Sequence, residues 1–345
     1  MTKEKILSVK NLEFSFRTYG GIVKSVRDVS FDIHEGEIVG IVGESGCGKS
    51  VTAQSIIKLN PEPPGFFGEK SSIRFKGEEI VTKTDKEMRK IRGKEIGFIF
   101  QDPMTSLNPT MRIGKQIEEV LEGQKKYSKK QRKERTLEIL RLVGISDAEK
   151  RYKQYPYELS GGMKQRVMIA IALVGNPSII IADEPTTSLD VTIEAQILSL
   201  LKELQEKLHT AIIFITHDLG VIAKLCDRVM VMYGGKIVET GGVEDIYYHT
   251  AHPYTVGLMN SIARLELDRD TKLEPIEGTP PDLFSPPQGC PFAARCKYAM
   301  NICYRKPPEE CKVGEGHTCT CWLKDERSPK IELKTQLTQK EEAYE

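Results

Sequence analysis

The sequence predicts an α/β fold: a buried parallel core, an antiparallel strand layer, a helical insertion and a cysteine-rich C-terminal extension. Three observations predict it. Gly43-Glu44-Ser45-Gly46-Cys47-Gly48-Lys49-Ser50 fits the pattern G-x-x-x-x-G-K-[ST], with the apolar run 38–42 before it and a helix-forming run after it. Residues 179–182 form a second apolar run, ending in two acids, Asp183 and Glu184. Strand-like and helix-like segments alternate through about residue 245.

Residues 6–16 and 26–33 alternate apolar and polar, as half-buried strands do. Glu35-Gly36-Glu37 turns the second into 38–42, the strand that feeds the loop. A helix is expected from Lys49 to about Leu59, where Pro61, Pro63 and Pro64 stop it. Residues 72–81 and 95–100 read as further strands. Residues 112–150 are rich in Lys, Glu, Leu and Ile at helical spacing and belong to an insertion spanning about 102–165. Within it, residues 125–135 carry seven basic side chains, read as a solvated helix face. Small residues Ser160-Gly161-Gly162 open a strong helix over 163–174. A nucleotide-binding domain is thus expected over 1–255 and an extension over 256–330, with prolines at 275–287 and six cysteines after them. The polar end, 331–345, is expected to be disordered.

Lys and Arg number 50 against 49 Asp and Glu, which lacks the basic excess of a nucleic-acid binder. The apolar runs are strand-length, whereas a membrane-spanning helix needs roughly 20 residues. Met1-Thr2-Lys3-Glu4-Lys5-Ile6 has no signal-peptide character. A phosphate loop implies a cytoplasmic ATP pool, where thiols stay reduced. Six cysteines within a short stretch then read as ligands for a metal or cluster.

The candidate chemistry is that of a P-loop NTPase with a RecA-like core. Gly43, Glu44, Ser45, Gly46, Cys47, Gly48, Lys49, Ser50 and Val51 are the candidate ATP contacts. Glycines let backbone N–H groups turn in around phosphate oxygens at a helix N-terminus. Lys49 adds charge at the β/γ-phosphates, and the Ser50 hydroxyl is a Mg²⁺ ligand. Asp183 ends a buried strand and can hold Mg²⁺ through water, while Glu184 is placed as general base. Gln101, after a strand, can reach both Mg²⁺ and water. His217, after the apolar run 212–216, can contact the γ-phosphate. Ser160, Gly161 and Gly162 make a second anion site, which is economical only if it serves ATP held by a partner.

This set resembles the nucleotide-binding subunits of ABC transporters over roughly residues 5–250. The resemblance implies a Q-loop at Gln101, a signature at Leu159-Ser160-Gly161-Gly162-Met163-Lys164-Gln165 and a magnesium aspartate at Asp183. It further implies catalytic Glu184, a D-loop at Ser188-Leu189-Asp190 and a switch histidine at His217. Met163 stands where many members have Gln. Adenine would stack on Tyr19 or, as second choice, Phe16.

More narrowly, Gln101-Asp102-Pro103-Met104-Thr105-Ser106-Leu107-Asn108-Pro109, His252-Pro253-Tyr254-Thr255 and Gly289-Cys290-Pro291-Phe292 resemble the D-type ATPases of dipeptide and oligopeptide importers. That resemblance implies a head-to-tail dimer with a homologous ATPase subunit, sandwiching two ATPs, and two transmembrane permease subunits. It also implies an extracellular substrate-binding protein, no nucleic acid, and a peripheral place at the cytoplasmic face of the membrane. Nickel and glutathione importers share much of the pattern, and a soluble ABC ATPase outside transport is a rival from another class. Cys290, Cys296, Cys303 and Cys321 match the family spacing for a [4Fe–4S] cluster, leaving Cys311 and Cys319 spare. Zinc is the alternative, since it also takes four thiolates. The extension is expected to be a segment too poor in apolar residues for its own core, pinned by the cluster, so that losing the cluster loosens residues 285–325 and leaves ATP binding at 43–50 intact.

Overall fold

The computed structural model describes residues 4–122, 127–187, 189–261, 275–333 and 335. It contains two sheets. In the first, β1 (Lys5–Thr18) and β2 (Gly21–His34) form a long antiparallel hairpin. β4 (Gly65–Phe67) and β5 (Ser72–Phe75) pair with β1, and β6 (Glu78–Glu79) pairs with β5. The second sheet also uses β3 (Ile38–Val42), β7 (Ile96–Ile99), β8 (Ile179–Asp183), β9 (Ala211–Thr216), β10 (Arg228–Tyr233), β11 (Lys236–Gly242), β12 (Cys311–Gly314) and β13 (His317–Cys319). Its order is β12-β13-β11-β10-β3-β9-β8-β7, parallel from β10 to β7.

The parallel strands explain their own composition. Every residue of β3, β8 and β9 is buried, so they read as unbroken apolar runs rather than alternations. Their pleat still divides two cores. Val39, Ile41, Ile213 and Ile215 face the antiparallel layer, with Leu7, Phe14 and Val26. Ile38, Val42, Ile212 and Phe214 face the helical side, with Ile117, Ile139 and Leu173. Register then sets the site. Val42 pairs with Thr216, Asp183 with Ile215 and Ile99 with Ala182, so four parallel strands end along one edge and deliver their following loops to it.

Most local expectations hold with shifted ends. The first helix is Lys49–Ile56 and stops before Leu59, at Lys58 with φ 48°. The strand expected over 72–81 is two short strands, because Lys76 and Gly77 turn with φ 48° and 82°. The insertion holds helices Ile113–Leu121, Lys129–Leu142 and Ala148–Arg151. Two of its basic residues, Lys125 and Lys126, lie outside the described residues, as does the expected disordered tail apart from 331–333 and 335.

The extension departs from its expected independence. β13 pairs with β11 through Glu239–Cys319 and Thr240–Thr318, so the C-terminal hairpin lengthens the nucleotide-domain sheet. The buried Glu239 carboxylate accepts from the Ala251 and His252 N–H groups at 2.6 and 3.0 Å and lies 2.8 Å from His317 Nε2. Cys290, Phe292, Ala293 and Cys303 join the helix-side core. The segment needs no core of its own because it borrows one.

Candidate active site

The phosphate loop is held tightly from both sides. A Cβ on Gly43, at φ 154°, would lie 2.1 Å from the Met232 carbonyl oxygen, and one on Gly48, at φ 102°, would lie 2.4 Å from that of Ser25. Side chains are excluded at both positions. Gly48 begins the helix Lys49–Ile56 with no side-chain cap, which leaves the first N–H groups of the helix for an anion. Ser45 and Gly46 are exposed at the loop tip, whereas Cys47 is buried and its thiol is pushed up by that burial. Lys49 is only 4% exposed. Its Nζ donates to the Gly43 and Glu44 carbonyls at 2.8 and 3.0 Å, closing the loop on itself. Val51 is half-buried against the inter-sheet core.

Behind the loop, the Ser50 hydroxyl donates to Asp183 Oδ1 at 2.9 Å. Burial pushes the Asp183 carboxyl up, opposed by the Ser50 hydrogen bond and the nearby Lys49 charge. A buried carboxylate beside a hydroxyl is suited to a divalent cation, which would remove the cost of its charge.

Beyond Asp183 the chain turns sharply, and Glu184 takes φ 46°, a left-handed conformation rare for a non-glycine residue. Its Oε2 accepts from Gln101 Nε2 and from the Thr187 hydroxyl, each at 3.0 Å, and lies 3.4 Å from His217 Nδ1. Gln101, Glu184 and His217, read separately from three strand ends, are thus brought together on one carboxylate. Thr187 was missed, since a threonine in a turn carries no motif. Gln165 was assigned only as part of the signature. Its amide donates to the Pro185 carbonyl at 2.6 Å, tying the signature helix to the Glu184 turn.

Ser160 caps the helix Gly161–Leu173, accepting from Met163 N–H at 3.4 Å. Among the described residues, no hydrogen bond or ion pair joins Ser160, Gly161 or Gly162 to the phosphate loop of the same chain. Gly162 packs on Ile193, while a Cβ on Gly161 would meet nothing within 4 Å. In the segment read as a D-loop, Asp190 caps the helix Val191–Leu208; Ser188 lies outside the described residues. Tyr19 is fully exposed at the β1–β2 turn. Phe16 instead packs edge-on against Phe14 with centroids 5.2 Å apart, so it is committed to the core side.

None of the six cysteines of the extension forms a disulfide. Cys303 Sγ accepts the Met300 N–H at 3.5 Å, and the backbone at Phe292, Tyr298 and Leu323 acts to lower the Cys290, Cys296 and Cys321 thiols. Burial first, and then the charges of Cys321, Cys303 and Cys296, push the Cys290 thiol up to about 12. Burial, then Cys321 and Cys303, takes Cys296 to about 11. The neighbouring Cys319 holds the Cys321 thiol below its ordinary value. Cys311 donates its S–H to the Cys319 carbonyl at 3.1 Å. Among the described residues, no three His, Cys, Asp or Glu side chains converge as a single-ion site.

A closed phosphate loop, a Ser–Asp pair behind it and a carboxylate gathering Gln and His define an ATP-hydrolysing cassette of the ABC class. Residues 26–187 match the family described as ABC transporter, and residues 238–303 match the oligopeptide/dipeptide transporter C-terminal region. The chain belongs to the family of ATP-binding subunits of oligopeptide and dipeptide ABC transporters, and it is an ATPase that uses ATP and Mg²⁺. It is 56% identical to the oligopeptide transport ATP-binding protein OppD of Bacillus subtilis (strain 168), covering 95% of this chain and 91% of that one. Identity is also 56% to the dipeptide transport ATP-binding protein DppD of the same organism, covering 94% and 96%. A dimeric ATP-binding cassette solved in a post-hydrolysis state with ADP and Pi aligns with TM-score 0.61 and 30% identity, covering 69% of this chain and 99% of that one. Among the described residues, no helix is long and apolar enough to cross a membrane.

Proposed function

We propose that this chain powers the import of dipeptides or oligopeptides through two separate transmembrane permease subunits, from the cytoplasmic face of the membrane. An extracellular substrate-binding protein delivers the cargo. MgATP sits on residues 43–51, with adenine on Tyr19. Mg²⁺, held by Ser50, Asp183 and Gln101, supplies charge neutralisation at the phosphates. The observation that carries the reading is the gathering of Gln101, Thr187 and His217 on Glu184. All three use Oε2, which leaves Oε1 to take the proton of an attacking water. His217 orients that carboxylate and reaches the γ-phosphate.

The second γ-phosphate contact comes from Ser160, Gly161 and Gly162 of a homologous subunit, in a head-to-tail sandwich. The open space around Gly161 supports this and supplies the test. Gly161→Asp leaves the monomer and its own ATP site untouched but sets a carboxylate against the partner's ATP. We expect unchanged melting temperature and ATP affinity, with steady-state hydrolysis down at least about tenfold from like-charge repulsion. Hydrolysis at the wild-type rate would remove the signature segment from the reaction.

Cys290, Cys296, Cys303 and Cys321 fit a [4Fe–4S] cluster. The Met300 N–H donated to Cys303 Sγ favours a thiolate there, and the S–H donation of Cys311 to the Cys319 carbonyl gives one spare cysteine another partner. Purified protein is expected to be brown with about four irons per chain, and Cys296→Ser to bleach it. Colourless protein with one zinc per chain would reverse the assignment.

A further inference from the structure

Glu44, the second residue of the phosphate loop, is held from three directions. Its N–H donates to the Tyr254 hydroxyl at 2.9 Å, and its carbonyl accepts from Lys49 at 3.0 Å. Its carboxylate receives both arms of the Arg295 guanidinium, at 2.7 and 3.0 Å. Arg295 stands immediately before Cys296, in the cysteine-rich segment. It is 6% exposed on its side chain. Its other donor contacts go to the Tyr233 hydroxyl at 3.1 Å, the Ile276 carbonyl at 3.0 Å and the Glu277 carbonyl at 2.9 Å. Beneath this pair, the rings of Tyr233, Tyr254 and Phe292 lie 4.4 to 5.3 Å apart, so the aromatic floor is also shared between cassette and extension.

Each feature has a physical consequence. A two-armed guanidinium–carboxylate pair fixes orientation as well as distance. With its N–H given to Tyr254, Glu44 is a member of the 43–51 loop whose backbone donor is already committed within the fold. The carboxylate itself is a liability in this loop, because a free negative charge there would oppose an incoming polyphosphate. Arg295 both neutralises it and holds it away.

We propose that Arg295 is a positioning residue of the nucleotide site, through which the cysteine-rich segment sets ATP affinity. The proposal rests on residues 43–51 being the ATP site, so the wild-type chain is measured first. If wild type fails to bind MgATP, that reading falls and this proposal falls with it; wild-type binding with unchanged affinity in R295Q overturns this proposal alone. In the full-length chain, R295Q leaves Glu44 charged and unpaired. It is expected to raise the Kd and KM for MgATP about tenfold, as for one uncompensated charge near the phosphates, with kcat changed less than about twofold. R295Q/E44Q, which removes the orphaned carboxylate, is expected to return the Kd to within about threefold of wild type. R295K keeps the charge and loses the fork, and is expected to fall between wild type and R295Q. Wild-type affinity in R295Q would overturn the proposal. So would a double variant that binds no better than R295Q, since the defect would then be loss of folding rather than Glu44. If R295Q does not fold, R295K decides: a small rise in KM at unchanged kcat supports the role, and unchanged KM overturns it.

Discussion

Glu184→Gln is expected to bind MgATP as wild type does and to turn it over about 10²–10⁴-fold more slowly, the usual cost of losing a general base. The substitution keeps the shape and the left-handed turn at φ 46°. Gln101 and Thr187 can still donate to the amide oxygen, so the geometry around position 184 survives while the proton acceptor does not. In the proposed head-to-tail sandwich hydrolysis would separate the two cassettes, so the variant is also expected to accumulate as an ATP-dependent dimer. Phosphate release under single-turnover conditions measures the first effect, and size-exclusion chromatography with and without ATP measures the second. Turnover within threefold of wild type would take the base role away from Glu184.

Lys49→Ala acts earlier, on binding. The lysine does two things in this structure. It brings a positive charge to the loop, and it donates to the Gly43 and Glu44 carbonyls, the second of which also accepts the Cys47 N–H at 3.3 Å. An unpaired buried carbonyl costs about 1–3 kcal/mol, and the lost charge adds to it. MgATP affinity is expected to fall by about 10²-fold, with a lowered melting temperature in the absence of nucleotide. Equilibrium binding of labelled ATP checks the first and thermal unfolding the second. Affinity unchanged from wild type would mean that the backbone amides alone hold the phosphates.

The candidate catalytic residues were legible because each follows a strand of the parallel sheet. Such strands are buried on both faces and stand out as apolar runs, so the polar residue at the end of each is conspicuous. Gln101, Asp183, Glu184 and His217 were found in that way, and so was the loop at 43–50. What local reading could not see is what lies far apart in the chain. Glu44 and Arg295 are an ordinary loop acid and an ordinary loop base until the fold brings them together. The pairing of His317–Cys319 with β11 was hidden for a related reason. Three residues are too few to show a period of two, and the partner strand lies about eighty positions earlier. The same blindness made 256–330 read as a separate module. Phe292 and Cys290 are few, but they complete a core that the cassette leaves open. Strand interruptions were missed on a smaller scale, because Lys76-Gly77 and Lys58 change direction through positive φ rather than through proline.

The place of β3 in its sheet has a consequence for how the protein is made. The strand that carries the phosphate loop, Ile38–Val42, lies between Ala211–Thr216 and Arg228–Tyr233, both synthesised much later. At about 5–20 residues per second on the ribosome, the loop waits on the order of ten seconds or more before either neighbour exists. Until then Gly43 has no Met232 to pack against and Glu184 has no Ile215 carbonyl to anchor its turn. A growing chain therefore carries the whole loop sequence yet has no nucleotide site, and its apolar central strand must be sheltered by the antiparallel hairpin or by a chaperone. Truncated products, by the same logic, are excluded from ATP, so only a chain that has been finished past residue 233 can enter the ATP-driven cycle.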